Sequence, residues 1–163
     1  MPTVEFSPAI QATTPDGKRV NLSPRSGLQL MGACVWAIIS PPANIKGALT
    51  AEKGSNPQSV EGWALIDTGA ATTAVDESVC QKLGVAPTGE IQMGHAGGSA
   101  KRLCYPIQIV FPQMPMPPLT CPSAASVDLA GGSQNYVLLV GRDLLAGMRL
   151  VYNGPMGRIE ISV

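Results

Sequence analysis

The sequence has few charged residues, few aromatic residues and a single histidine. Of its 163 residues, 13% are charged and 4% aromatic, and the 11 basic and 11 acidic side chains cancel. A neutral chain lacks the basic surface with which proteins bind nucleic acids or anionic membranes, so we expect neither as a partner. His95 alone cannot form a metal site or a Ser-His-Asp triad.

Long hydrophobic runs are also missing. The longest apolar run near the N-terminus, residues 31–39, is far shorter than the ~20 residues that span a bilayer. Residues 1–15 hold no basic cluster ahead of an apolar stretch, so we expect no secretion signal and a cytoplasmic protein. The cysteine spacings fit no zinc pattern and no disulfide framework, which favours free, mostly buried thiols. These cysteines are Cys34, Cys80, Cys104 and Cys121.

Glycine and proline are plentiful, at 18 and 15 residues. Both interrupt helices and long strands, so the composition predicts a single all-β domain over residues 1–163, made of many short strands. Residues 1–27 are interpreted as an arm, with at most one early strand. One helix is expected, between Asp76 as its N-cap and Gly84 as its terminator. The clearest strand candidates are residues 28–39, 61–66, 105–111 and 136–140.

Two hairpins are predicted from local signals. Residues 90–108 form one, with Gly94, Gly97 and Gly98 near its tip. The second is at the C-terminal end, where Asn153-Gly154 is a strong hairpin-turn signal. The last residues, RIEISV, alternate apolar and polar side chains as a strand does.

The segment ALIDTGA, residues 64–70, is the most informative for chemistry. Burying a charge is costly, so Asp67 at the end of an apolar strand requires a reason. Thr68 offers a hydroxyl, and Gly69 allows close approach of the backbone or a substrate. These features indicate a carboxylate held in a tight polar turn. The alternative is a structural Asp that caps this turn.

The segment ALIDTGAATTAVD resembles the active-site segment of retropepsin-like aspartic peptidases. The resemblance continues in order through IQMGHAGGSAKRLCY, where the family has its flap, and VLLVGRDLLAG, which is similar to its late motif. The last residues, GRDLLAGMRLVYNGPMGRIEISV, look especially like bacterial members. The match covers residues 60–163, the recognisable peptidase core.

The resemblance implies a closed retropepsin-like barrel with one short helix, working as a homodimer on a peptide or protein substrate. Asp67 would be the catalytic acid, Thr68 would support it across the dimer axis, and the Gly69 backbone would meet the substrate. The implied substrate-binding residues are Ala70, Met93, Gly94, His95, Ala96, Gly97 and Gly98.

Peptide hydrolysis by two carboxylates needs one ionised to activate water and one protonated to polarise the scissile carbonyl. The chain has one Asp-Thr-Gly, so a second copy must supply the partner carboxylate. This hydrolase mechanism needs no metal or cofactor.

Other interpretations stay open. The glycine cluster is also compatible with an ordinary hairpin tip, and the chain with a non-catalytic peptide-binding or dimerisation module of the same fold. Residues 1–30 could also block the cleft of a zymogen. One position departs from the family: Ala71 stands where an acidic residue commonly pairs with the late-motif arginine, so Arg142 needs another partner. Asp143 is interpreted as a helix cap or as a counter-charge to Arg142.

Overall fold

The computed structural model describes residues 3–7, 10–13, 15–43, 58–95, 98–129 and 136–162, which are mostly β-strand. The strands are β1 (Thr3–Phe6), β2 (Gln11–Thr13), β3 (Arg19–Asn21), β4 (Cys34–Ser40), β5 (Val60–Ile66), β6 (Ala74–Asp76), β7 (Gly89–His95), β8 (Gly98–Val110), β9 (Leu119–Val127), β10 (Tyr136–Val140), β11 (Arg149–Asn153) and β12 (Arg158–Ser162). The helices are α1 (Pro24–Met31), α2 (Glu77–Leu83) and α3 (Arg142–Leu145).

Seven strands form the main sheet in the order β4-β5-β10-β6-β9-β8-β7. The sheet curls, because β4 at one edge also pairs with β8, placing Ile38 opposite Val110 and Ile39 opposite Ile109. Two smaller sheets accompany it, β1-β12-β11 and β2-β3.

Strands β5 and β10 are neighbours in the interior of the main sheet. The two strands are parallel, and Ile66 is opposite Val140 at their carboxyl ends. Parallel strands are usually buried on both faces and rich in aliphatic residues, and WALI in β5 and VLLV in β10 fit this pattern. Ala64 and Val140 are wholly buried. The pairing brings the segments after both strands to the same edge of the sheet.

The C-terminal strand β12 lies between β1 and β11, so both of its edges are paired within the chain. Its side chains Ile159 and Ile161 are buried, and Phe6 of β1 packs against the same core. The outer edges of β1 and β11 are therefore the ones left in this sheet for a strand from another chain. Residues 1–27, interpreted as an arm, contain β1, β2 and β3 and the first part of α1.

Several local predictions are confirmed. The expected helix is α2, in which the Asp76 side chain accepts from the Ser78 N–H at 2.9 Å and Gly84 ends the helix at φ +63°. The glycine-rich hairpin is β7–β8, hereafter the glycine hairpin, with His95 opposite Gly98. The C-terminal hairpin is β11–β12. Its turn is longer than the Asn153-Gly154 pair alone, and the residue with positive φ is Gly157.

The predicted strand over residues 28–39 is wrong in its first part, where the chain forms α1. The Ser23 side chain accepts from the Ser26 N–H at 3.2 Å, Pro24 occupies the first turn, and Gly32 ends the helix. A Ser-Pro pair is a helix-start signal, because the hydroxyl caps a free N–H and proline lacks one. The mostly apolar residues LQLM made this segment resemble a buried strand. Strand β4 begins at Cys34 instead.

All four cysteines are buried and unpaired, as predicted. Burial raises the pKa of the Cys34 thiol and of the Cys80 thiol to about 11. Among the described residues, no helix has the length and apolar character that crossing a membrane requires.

We predict that Gly157→Ala destabilises the fold much more than Gly84→Ala does. The two glycines have nearly the same positive φ, +64° and +63°, but an added Cβ at 157 would lie 2.1 Å from the Pro24 carbonyl carbon, whereas the space at 84 is open. Strain alone should cost about 1 kcal/mol at 84, and strain plus overlap about 3 kcal/mol or more at 157. Urea unfolding measures both, and equal losses would contradict the close approach of α1 to the β11–β12 turn.

Candidate active site

Asp67 lies at the point where β5 leaves the sheet. Its backbone N–H donates to the Val140 carbonyl at 3.0 Å, which continues the β5–β10 pairing by one residue. The preceding Ile66 is buried, whereas the Asp67 side chain is half-buried. The apolar strand thus anchors the backbone, and the carboxylate emerges where the apolar packing ends.

One carboxylate oxygen of Asp67 is held by its own turn. Oδ1 accepts from the Gly69 N–H at 2.8 Å and from the Ala70 N–H at 3.2 Å. Oδ2 accepts no hydrogen bond from a described residue, so it can act on a bound molecule. The turn is tight, because a Cβ on Gly69 would lie 3.1 Å from Oδ1. Asp67 therefore does cap its turn, which is the alternative role expected from the sequence. The cap uses only one of the two carboxylate oxygens, Oδ1.

Arg142 supports the same turn from the segment after β10. Its backbone N–H donates to the Ala70 carbonyl at 2.9 Å, and its Nη1 donates to the Thr68 carbonyl at 3.1 Å. Backbone carbonyls thus replace the acidic partner that is absent at Ala71. Thr68 and Gly69 are exposed next to this contact, and Ala70 is half-buried.

Thr73 and Asp143 join the two segments that flank the site. Asp143 accepts from the Thr73 N–H at 2.9 Å and from the Thr73 hydroxyl at 2.7 Å. The same hydroxyl accepts from the Gly141 N–H at 3.1 Å. Gly141 is required by the close crossing, since a Cβ there would lie 2.5 Å from the Thr72 carbonyl carbon.

Sequence analysis missed the role of Thr73 and assigned Asp143 to a helix cap or a counter-charge. Thr73 is wholly buried, and a polar residue just before the buried strand β6 was the available signal. Gly141, not Asp143, is the N-cap of α3, although Asp143 also accepts from the Leu144 N–H at 2.9 Å.

A cleft of about 560 Å³ separates the Asp67 turn from the glycine hairpin. Among the described residues that line it, most side chains are apolar and Asp67 is the one that is ionisable. The lining residues are Asp67, Gly69, Ala70, Ala71, Thr72, Ile91, Gln92, Met93, Gly94 and Leu139.

The predicted hairpin residues meet this cleft in part. Met93 and Gly94 line it beside Asp67. Gly98 pairs with His95 at the end of the hairpin and is not among the described lining residues. Ala96 and Gly97 lie outside the described residues. No group of three His, Cys, Asp or Glu side chains that could hold a metal ion occurs in the described part of the chain.

Comparison with known proteins gives little more. No protein-family model matches the chain, and no curated protein matches it. Among solved structures, the chain is similar to a retropepsin-like aspartic protease from Rickettsia conorii. The identity is 16%, the TM-score is 0.44, and the similarity covers 98% of this chain and 91% of that one. A likeness of this degree carries no argument about function.

We predict that Asp143→Ala and Thr73→Val each lower the free energy of unfolding by about 1–3 kcal/mol. Asp143→Ala removes both acceptors of the buried Thr73 N–H and hydroxyl, and Thr73→Val removes the hydroxyl that accepts from the Gly141 N–H. The double variant should lose at least about 1 kcal/mol less than the sum of the single variants, since both remove the same contact. Urea unfolding of the four proteins measures this, with exposed Glu61→Ala as the control. Strictly additive losses would show that the two side chains do not interact.

Proposed function

We propose that the protein is an aspartic endopeptidase whose active site forms between two copies of the chain, each contributing Asp67. The observation that carries this proposal is the Asp67 carboxylate, with Oδ1 fixed by its turn and Oδ2 unoccupied, beside a cleft bounded by the glycine hairpin. The retropepsin-like sequence pattern supports the same assignment.

The second carboxylate is assigned to the partner copy for a structural reason. Asp67 is the only ionisable residue in the described lining of the cleft, and the Asp143 carboxylate is already bound to Thr73. A two-fold axis close to Asp67 would bring the two identical carboxylates together. Two carboxylates in contact cannot both ionise easily, so one proton is shared between them.

The reaction then follows from the difference between the two carboxylates. The ionised one takes a proton from a water molecule as the water oxygen attacks the scissile carbonyl carbon, and the protonated one donates a hydrogen bond to the carbonyl oxygen. Breakdown of the tetrahedral intermediate returns a proton to the leaving amine. Thr68 supports the pair across the axis, and Gly69 and Ala70 bind the substrate main chain.

The glycine hairpin has the role of a cover over an extended peptide. Met93 and Gly94 contact the substrate from above, and the tip from His95 to Gly98, including Ala96 and Gly97, closes over it. Curling of the main sheet through the β4–β8 pairing supports the closed barrel that this fold family requires. Ala71 adds an apolar side chain to the cleft lining. Arg142 is held by backbone carbonyls instead of a carboxylate at that position.

A second candidate is a peptide-binding or dimerisation module without catalysis. The two N–H groups that bind Oδ1 favour it, because they give Asp67 a structural role that does not need a reaction. The two candidates differ in whether Asp67 must exchange a proton.

We predict that Asp67→Asn abolishes cleavage of a denatured protein and leaves the fold intact. The amide oxygen of Asn can still accept from Gly69 and Ala70, so the turn persists, but the amide cannot exchange a proton with water. Cleavage is followed by mass spectrometry, folding by circular dichroism, and Asp16→Asn is the matched control. An Asn variant that cleaves at the unaltered rate would favour the binding module.

A further inference from the structure

Arg102 of β8 is a charged residue to which the proposed mechanism gives no role. In the glycine hairpin it is directly opposite Ile91, and Ala100 is directly opposite Met93. Directly opposed residues of an antiparallel pair project from the same face of the sheet. Ile91 and Met93 line the cleft, as do Gln92 and Gly94 of the same strand, whereas Arg102 is not itself in the lining. The register therefore places Arg102 on the hairpin face that carries Ile91 and Met93.

The burial pattern supports this orientation. Along β8, Ala100 and Arg102 are half-buried and Cys104 is buried, whereas Lys101 and Leu103 between them are exposed. A guanidinium carries five N–H donors, which bind an anion or hydrogen-bond acceptors within their reach.

No compensation for Arg102 is found in the described ranges, where its guanidinium has no ion pair and no hydrogen bond. The neighbouring charges are compensated. Lys101 pairs with Glu90 at 3.6 Å on the outer face, and Arg142 donates to the Thr68 carbonyl. Arg102 is therefore a cation on the hairpin face that carries Ile91 and Met93, without a partner among the described residues.

We propose that Arg102 is a specificity-determining residue that binds an acidic side chain of the peptide substrate. The inference rests on the proposed peptidase function. A planar guanidinium binds a carboxylate through two parallel hydrogen bonds, which suits Asp or Glu in an extended peptide.

The test uses ten-residue peptides with an apolar central pair and one Glu, Gln or Lys placed at each flanking position in turn. Binding to the Asp67→Asn chain is measured by fluorescence anisotropy, so that cleavage does not interfere. We expect the Glu peptide to bind roughly fivefold more tightly than its Gln counterpart at one position. Arg102→Gln should remove this preference, and Arg102→Glu should transfer it to the Lys peptide.

Lys101→Gln is the matched control, because Lys101 is the adjacent cation on the opposite face of the same strand. It should keep the preference for Glu. Equal affinity for Glu and Gln peptides at every position, absence of binding, or a preference unchanged in Arg102→Glu would overturn the assignment of Arg102.

Cleavage of the same peptides by the unaltered chain separates this inference from the proposed function. Cleavage without any preference for Glu would reject the role of Arg102 and keep the peptidase. Arg102-dependent binding of Glu peptides without cleavage would reject the peptidase and keep the acidic-peptide site.

Discussion

The buried Thr73 hydroxyl is the interaction on which the rest of the site depends. It donates to Asp143 and accepts from the Gly141 N–H, so both of its hydrogen-bonding functions are used inside the protein. These bonds tie the segment after β5 to the segment after β10, at the edge where both strands end. With that crossing fixed, Arg142 reaches the carbonyls of the Asp67 turn, and the turn holds one oxygen of the Asp67 carboxylate. The turn is thereby supported by the main sheet.

The site combines a stabilising role and a chemical role in one side chain. Oδ1 of Asp67 completes the hydrogen bonds of the turn, and in the proposed mechanism Oδ2 is the atom that meets water or a partner carboxylate. Such a division explains why an ionisable residue is retained at the end of an apolar strand, where its charge is costly unless the surrounding N–H groups stabilise it. The same arrangement explains why Ala71 is tolerated, because Arg142 uses backbone carbonyls.

Local signals in the sequence predicted the elements that depend on neighbouring residues. Asp76 and Gly84 delimit α2, a glycine cluster marks one hairpin, and Asn153-Gly154 marks the other. The helix α1 was missed because its apolar residues obscured the Ser23-Pro24 start. The Thr73–Asp143 contact joins residues 70 positions apart, and β1 pairs with β12 across almost the whole chain. Pattern and propensity carry no information on such contacts, which depend on how the sheet assembles. Asp67 itself was found because its motif is local, whereas the support around it is not.

The central claim, that the active site exists only between two chains, is tested most directly by initial rates over a dilution series with sedimentation analysis at the same concentrations. The account predicts that, below the dimer dissociation constant, the rate falls with the square of total protein concentration. Adding excess Asp67→Asn chain should then suppress activity, because mixed pairs hold one Asp67 only. A chain that sediments as a monomer throughout and retains the same activity per molecule would contradict the shared site and require a second acid within one chain.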